Sequence, residues 1–133
     1  MDEGALRVST EIAVPVISAI ETNRSARFDA VNVLNTASYI ENLPRSAVVE
    51  IPALCDGAGI HPLHVGPLPE VPATFIRTQL SIQRLITEAY RTKSKKLLLQ
   101  ALLLDPVVNS VTEAEKLLDE MLQLQKEFLP EFT

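Results

Sequence analysis

Two histidines and a single cysteine carry the most reactive side chains of this chain, and all three crowd into the stretch from Asn32 to Pro69. Cys55, Asp56, His61 and His64 offer a thiolate, a carboxylate and two imidazoles, a donor set that zinc or manganese could use. The spacing argues against a shared ion. Alternate residues of a strand face one side, so His61 and His64, three apart, point to opposite faces, and Pro62 disfavours a helix that would gather them. The commoner reading makes Cys55 a small core residue and the histidines partly exposed loop residues. Gly57-Ala58-Gly59 has the first two glycines of a dinucleotide loop, but no third follows and Ile60-His61-Pro62 cannot open the helix that such a loop needs. A tight turn fits better. Glu50, among Val48, Val49 and Ile51, is a candidate carboxylate of raised pKa if buried, but it lacks a partner acid and reads as outward-facing. Asn32, Asn35 and Asn42 are amides in or beside apolar sequence. They either tie loop backbone together or bind a hydroxyl-rich ligand, and the residues by themselves favour the first.

Charge narrows the function further. Twelve basic against seventeen acidic residues give a net charge of −5, which opposes nucleic-acid binding as the main task. The basic run Arg91 to Lys96 reads as a solvated helix–helix junction, with phosphate binding as the lesser alternative. Arg84 and Glu88 form an i, i+4 pair in the weaker orientation. One cysteine makes no internal disulfide, and the acidic first residues lack the apolar segment of a signal peptide. No apolar run is long enough to span a bilayer. A cytoplasmic protein without membrane partners is expected.

The elements that must position these residues follow from periodicity. Ser9 or Thr10 offers a cap for a first helix through Ile12, Val16, Ile17 and Ile20, with Pro15 in its first turn or at a kink. Arg27–Leu34 reads as a strand, apolar on much of both faces and therefore internal. Ala47–Leu54 is a second strand, which Pro52 places at an edge or a bulge, and Ile60–Val65 returns as a third. From Pro72 a helix runs through Tyr90. Ser94–Leu104, apolar nearly all round, predicts a helix buried on most sides. Ser110–Glu113 or Thr112–Glu115 is a capping box for a last helix whose inner face holds Ala114, Leu117, Leu118, Met121, Leu122 and Phe128. The fold class is α+β, helix-rich, with a small antiparallel sheet or hairpin packed on long C-terminal helices, in one domain spanning 1–133.

Ordered blocks along the chain carry a resemblance. Asn32-Val-Leu-Asn35, Ile40-Glu-Asn-Leu-Pro44, Val48-Val-Glu-Ile-Pro52, Gly59-Ile-His-Pro62 and Val65-Gly-Pro-Leu-Pro69 are similar to the C-terminal part of family 4 glycoside hydrolases. Gln83 to Ala89, Gln100 to Pro106 and Phe128 to Phe132 continue the likeness. It implies the fold of a lactate/malate dehydrogenase C-terminal domain. It also implies membership of glycosidases that use NAD and a divalent metal, usually manganese, to oxidise a sugar at C3, abstract a proton at C2, eliminate the C1 group, add water and reduce again. Such enzymes stand outside the two-carboxylate scheme. The family's dinucleotide loop, metal ligands and tyrosine base lie upstream of the matched blocks, so Cys55, His61 and Tyr39 do not correspond to them. Many members carry a glycine in the loop after Asn35, where this chain has Thr36-Ala37-Ser38.

The resulting expectation is a C-terminal, substrate-side and assembly domain, inactive alone, with no catalytic residue, cofactor site or metal site of its own. A glycoside is the substrate of the intact enzyme, homo-oligomers are expected, and Asn35, Asn42 and His61 are the positions expected to approach the sugar. The alternatives are a noncatalytic oligomerisation module and a small metal-binding protein using Cys55, His61 and His64.

Overall fold

Helix α1 spans Ala13–Glu21 in the computed structural model, which describes residues 10–133. Pro15 sits in its first turn, where the missing N–H has no helical partner to lose. Ser9 lies outside the described residues, and Thr10 is not the cap. Ile12 takes that place and makes no side-chain cap bond. At the other end Asn23 adopts φ 51°, and the N–H groups of Asn23 and Arg24 donate to the carbonyls of Ile20 and Ala19. This is a Schellman stop with asparagine in the left-handed position.

Three antiparallel strands follow, β1 (Ala26–Leu34), β2 (Val48–Asp56) and β3 (Gly59–Pro62), in the order β1-β2-β3. The expectation that the first strand is internal does not hold, because β2 lies between the other two and β1 pairs on one side only among the described residues. Pro52 therefore sits in the central strand. It is accommodated by a bulge: Phe28 pairs with Ala53 and Val31 with Ile51, so Asp29 and Ala30 together face Pro52, where the ladder donor is missing. Pro52 still accepts from Leu63 N–H on its other side. The alternation of β2 turns Val49, Ile51, Ala53 and Cys55 into the core, with Ala19 of α1 and Val31 of β1 also buried. Glu50 is exposed. These elements and the loops to Leu68 form the first of two compact units.

The second unit, from Pro69 to Thr133, holds α2 (Glu70–Thr92), α3 (Lys95–Leu104) and α4 (Val111–Leu124). α2 is longer than its apolar stripe predicts. It ends with Lys93 at φ 59° and Ser94 N–H donating to the Ala89 carbonyl. α4 opens with the first of the two capping boxes, Ser110 Oγ accepting from Glu113 N–H at 3.3 Å. Burial expectations fail on both α3 and α4, where Leu117 and Met121 of the expected inner face are also exposed. Only Ala101 of α3 is fully buried, with Leu103 and Leu104 exposed, because α2 and α4 cover just part of it. Phe128, expected on the inner face of α4, is 85% exposed, since the helix stops at Leu124 and a turn at Gln125 redirects the chain.

Candidate functional site

The loop between β1 and β2 is built around one side chain. Asn35 is 0% exposed. Its Nδ2 donates to the carbonyls of Ile40 (2.9 Å), Leu43 (3.1 Å) and Pro44 (3.3 Å), and its Oδ1 accepts from Ile40 N–H (2.9 Å). Its backbone joins in, with Asn35 N–H donating to the Ala47 carbonyl and the Asn35 carbonyl accepting from Ser38 N–H. A loop that cannot form a ladder must satisfy its buried backbone groups otherwise, and one amide does this for both ends of the loop. Both amide atoms are thereby committed to backbone.

Asn42 joins this loop to the segment after β3. Its Nδ2 donates to the Leu68 carbonyl (2.8 Å) and its Oδ1 accepts from Leu68 N–H (2.9 Å). Just upstream, Val65 and Gly66 N–H donate to the Tyr39 carbonyl, Glu41 N–H donates to the Gly66 carbonyl, and Ile40 and Gly66 form a parallel bridge. The Asn42 amide thus acts as one more rung of a short parallel pairing. Gly66, buried with φ 85°, supplies the backbone turn that a side chain would strain.

The histidines go to separate partners. His61 Nε2 lies 3.0 Å from Asp56 Oδ1, and the same oxygen accepts from Ala58 N–H at 2.8 Å. The His61 hydrogen bond, followed by that of Ala58, lowers the Asp56 pKa. His64 Nε2 lies 3.1 Å from Glu41 Oε1. Both pairs are solvent-exposed. Cys55 is 0% exposed, and burial, then the nearby Asp56 charge, raises its thiol pKa. Among the described residues no three His, Cys, Asp or Glu side chains are grouped to hold a metal ion. Manganese therefore does not fit the side chains described here.

Gly57 and Ala58 form the turn between β2 and β3, Gly59 opening β3 opposite Asp56, and Gly57 N–H donates to Asn23 Oδ1 at 2.9 Å. A Cβ on Gly57 would lie 2.5 Å from that oxygen. The glycine serves a close approach between two turns and opens no helix, so this sequence does not provide a dinucleotide cradle.

In the second unit Glu88 bonds Arg91 instead of Arg84. The Lys93 ammonium lies 4.0 Å from the centre of the Tyr90 ring, and Lys95 pairs with Asp119. Lys95 N–H and the Lys93 carbonyl bond the carbonyl and N–H of Thr133. This anchoring of the tail at the helix junction has no signal in the sequence pattern. No helix among the described residues is long and apolar enough to cross a membrane.

Comparison with known proteins gives matches that run through both units. The sequence model of the "Family 4 glycosyl hydrolase C-terminal domain" matches residues 3–108. An alpha-galactosidase of Bacillus subtilis is 36% identical over 127 residues, covering 93% of this chain and 29% of that protein. A 6-phospho-beta-glucosidase of Thermotoga maritima, BglT, is 37% identical over 117 residues, covering 88% of this chain and 28% of that protein. The crystal structure of the Thermotoga maritima 6-phospho-beta-glucosidase with manganese, NAD+ and glucose-6-phosphate superposes with TM-score 0.81 at 36% identity over 91% of this chain and 29% of that one. A 6-phospho-alpha-glucosidase from gut microorganisms, in complex with NAD and glucose-6-phosphate, superposes with TM-score 0.82 at 32% identity, covering 90% of this chain and 27% of its own. The chain thus spans less than a third of the length of these relatives.

Proposed function

The chain belongs to the family 4 glycosyl hydrolases, and on that premise we propose that both of its units form one C-terminal domain, the substrate-side and assembly part of an NAD- and manganese-dependent glycosidase. The observation that carries this reading is the asymmetric coverage: about nine-tenths of this chain superposes on under a third of relatives solved with NAD, manganese and glucose-6-phosphate. NAD and manganese would supply the oxidation, elimination and re-reduction, and no step of that chemistry is assigned to a residue here. What this chain contributes is shape. Asn35 and Asn42 hold the 36–45 loop and the 63–68 segment in one arrangement, and His61, paired with Asp56, stands exposed at the end of the sheet. Asn35 acts on a sugar through the loop it shapes, whereas His61 is available to a hydroxyl directly. The intact enzyme would work in the cytoplasm.

Calorimetric titration tests the division of labour. The chain is expected to show no saturable binding of NAD or of manganese, and stoichiometric binding of either would overturn the assignment. The assembly half has its own support. Val71 and Phe75, one turn apart on α2, are large apolar residues left mostly in water, and adjoining exposed apolar side chains favour association. We propose homo-oligomers on this basis. Sedimentation velocity should show concentration-dependent self-association, and a monomer at all concentrations would remove this part.

A further inference from the structure

Helix α2 keeps its charges on one side. At about 100° of turn per residue, Glu70, Arg77, Arg84, Glu88 and Arg91 fall within a sector of about 60°. Opposite them Val71, Phe75, Ile86 and Tyr90 fall within a sector of about 100°, and all four are exposed, by 48% to 69%. A surface helix ordinarily turns its charged face to water and its apolar face to a core. Here much of the apolar face is in water as well, although α3 packs along the same helix.

The four residues form two couples, Val71 with Phe75 and Ile86 with Tyr90, each one turn apart. Val71 and Tyr90 are equally far from the point between Leu80 and Ser81 near the middle of α2, and so are Phe75 and Ile86. A face arranged this way matches a reversed copy of itself, which is the condition for a two-fold contact. Turned end for end, Val71 meets Tyr90 and Ile86 meets Phe75, an aliphatic side chain against a ring each time. The helix ends agree. Glu70 lies at the N-terminal end, and Lys93, with its ammonium 4.0 Å from the centre of the Tyr90 ring, lies at the C-terminal end. Reversed copies bring acid beside base and run the helix dipoles antiparallel, whereas a parallel pair sets like ends together.

We infer that α2 is the contact between two copies of this chain, paired antiparallel across a two-fold axis that passes between Leu80 and Ser81. Phe75 then packs on Ile86 of the partner subunit, and Val71 on Tyr90 of the partner subunit. This rests on the self-association proposed above and gives it a surface, a direction and a register. One helix pair is small against the roughly 1,200 Å² of a stable interface, so a dimer that dissociates in the micromolar range is expected.

Sedimentation equilibrium of the chain and its variants tests the pairing. The parent chain should dimerise. Phe75→Glu and Ile86→Lys, both at exposed positions, should leave the far-UV circular dichroism unchanged. Each should weaken the dimer by tenfold or more, because symmetry makes every change count twice. Mixing the two variants should restore association, since the heterodimer keeps one native contact and gains a Glu–Lys pair at the other. A short bismaleimide should join Gln79→Cys chains, close to the axis, and not Pro72→Cys chains, which a parallel pair would join equally. Cys55, fully buried, stays out of that reaction. A parent chain that remains monomeric would overturn the inference together with the self-association beneath it, and would leave the face to a partner other than this chain. Association that survives both substitutions, or that mixing fails to restore, would overturn the pairing alone. Equal linking at Pro72 and Gln79 would overturn its direction.

Discussion

The two units solve the folding problem with different means. In the first, up to Leu68, a sheet and one helix enclose a small aliphatic core, and the irregular segments are fastened by asparagine amides: Asn23 to Gly57, Asn35 to Ile40, Leu43 and Pro44, Asn42 to Leu68. In the second, three helices satisfy their own backbone and share a thin core of Ala73, Ile82, Ala89, Ala101, Ala114 and Leu118. Larger apolar residues remain outside that core, Phe75 at 64% and Leu124 at 70% exposed. The difference teaches where each unit is vulnerable. The first is expected to lose most from the removal of a single amide, that of Asn35. The second loses little from any one residue and depends more on what covers its apolar surface.

Breaking the first unit at its most connected point should have the largest effect. Asn35→Ala leaves the carbonyls of Ile40, Leu43 and Pro44 and the N–H of Ile40 without their partner, and a loss of about 2–4 kcal/mol is expected in urea unfolding. Asn35→Asp should not rescue it, because a carboxylate cannot donate to three carbonyls. A loss below about 0.5 kcal/mol, within the range of ordinary surface substitutions, would show that the loop is held by something else. Gly57→Ala comes next. Its Cβ would displace the Asn23 amide, so a cost of roughly 1–2 kcal/mol is expected from overpacking and a lost bond. Asn23→Gly in the same chain should return part of it, since glycine suits φ 51° and removes the clash.

In the second unit the comparable change is milder. Ser110→Ala removes the cap of α4 and should cost about 1 kcal/mol, read as a lower urea midpoint with an unchanged slope. If it cost as much as Asn35→Ala, the contrast between the units would collapse. The smallest expected effect is electrostatic. The Asp56 pKa is lowered in the fold by His61, so its stabilising contribution is present above the unfolded carboxylate value, roughly 3.9, and fades as the pH falls through the folded value. His61→Ala should move the Asp56 pKa, followed by carboxyl 13C shifts, back upward. A pKa that does not move would remove the pairing. Cys55 sets the alkaline side with the opposite sign. Its raised pKa keeps the buried thiol protonated when the unfolded chain has begun to ionise, so stability falls as the pH climbs past roughly 8.5.

The same contrast decides what could be read from sequence. The helices of the second unit announce themselves by apolar spacing, by Pro72 near a start and by the Ser110–Glu113 cap, and all three appear. Their burial does not follow from that pattern, because periodicity says which face is apolar and not whether anything lies against it; Phe128 and Leu104 are the cost of assuming otherwise. In the first unit the strands and the turn at Gly57 were legible from alternation and glycine. Strand order was not. Pro52 suggests an edge or a bulge, and only the register decides for the bulge, with Asp29 and Ala30 opposite it in a central strand. The amide roles of Asn35 and Asn42 were open because their partners lie far along the chain, up to Leu68, and no local spacing encodes them. The left-handed Ser38 and the tail bonded to Lys93 and Lys95 had no sequence signal.

The central claim is that this chain shapes a glycosidase without performing its chemistry. Steady-state hydrolysis by the chain alone tests it most directly, with NAD, manganese and p-nitrophenyl α- and β-glycosides, including 6-phosphorylated ones. The account predicts release of p-nitrophenol no faster than in the buffer blank. Turnover in the ordinary enzymatic range, on the order of 1 per second or more, that disappears on adding a chelator would contradict it.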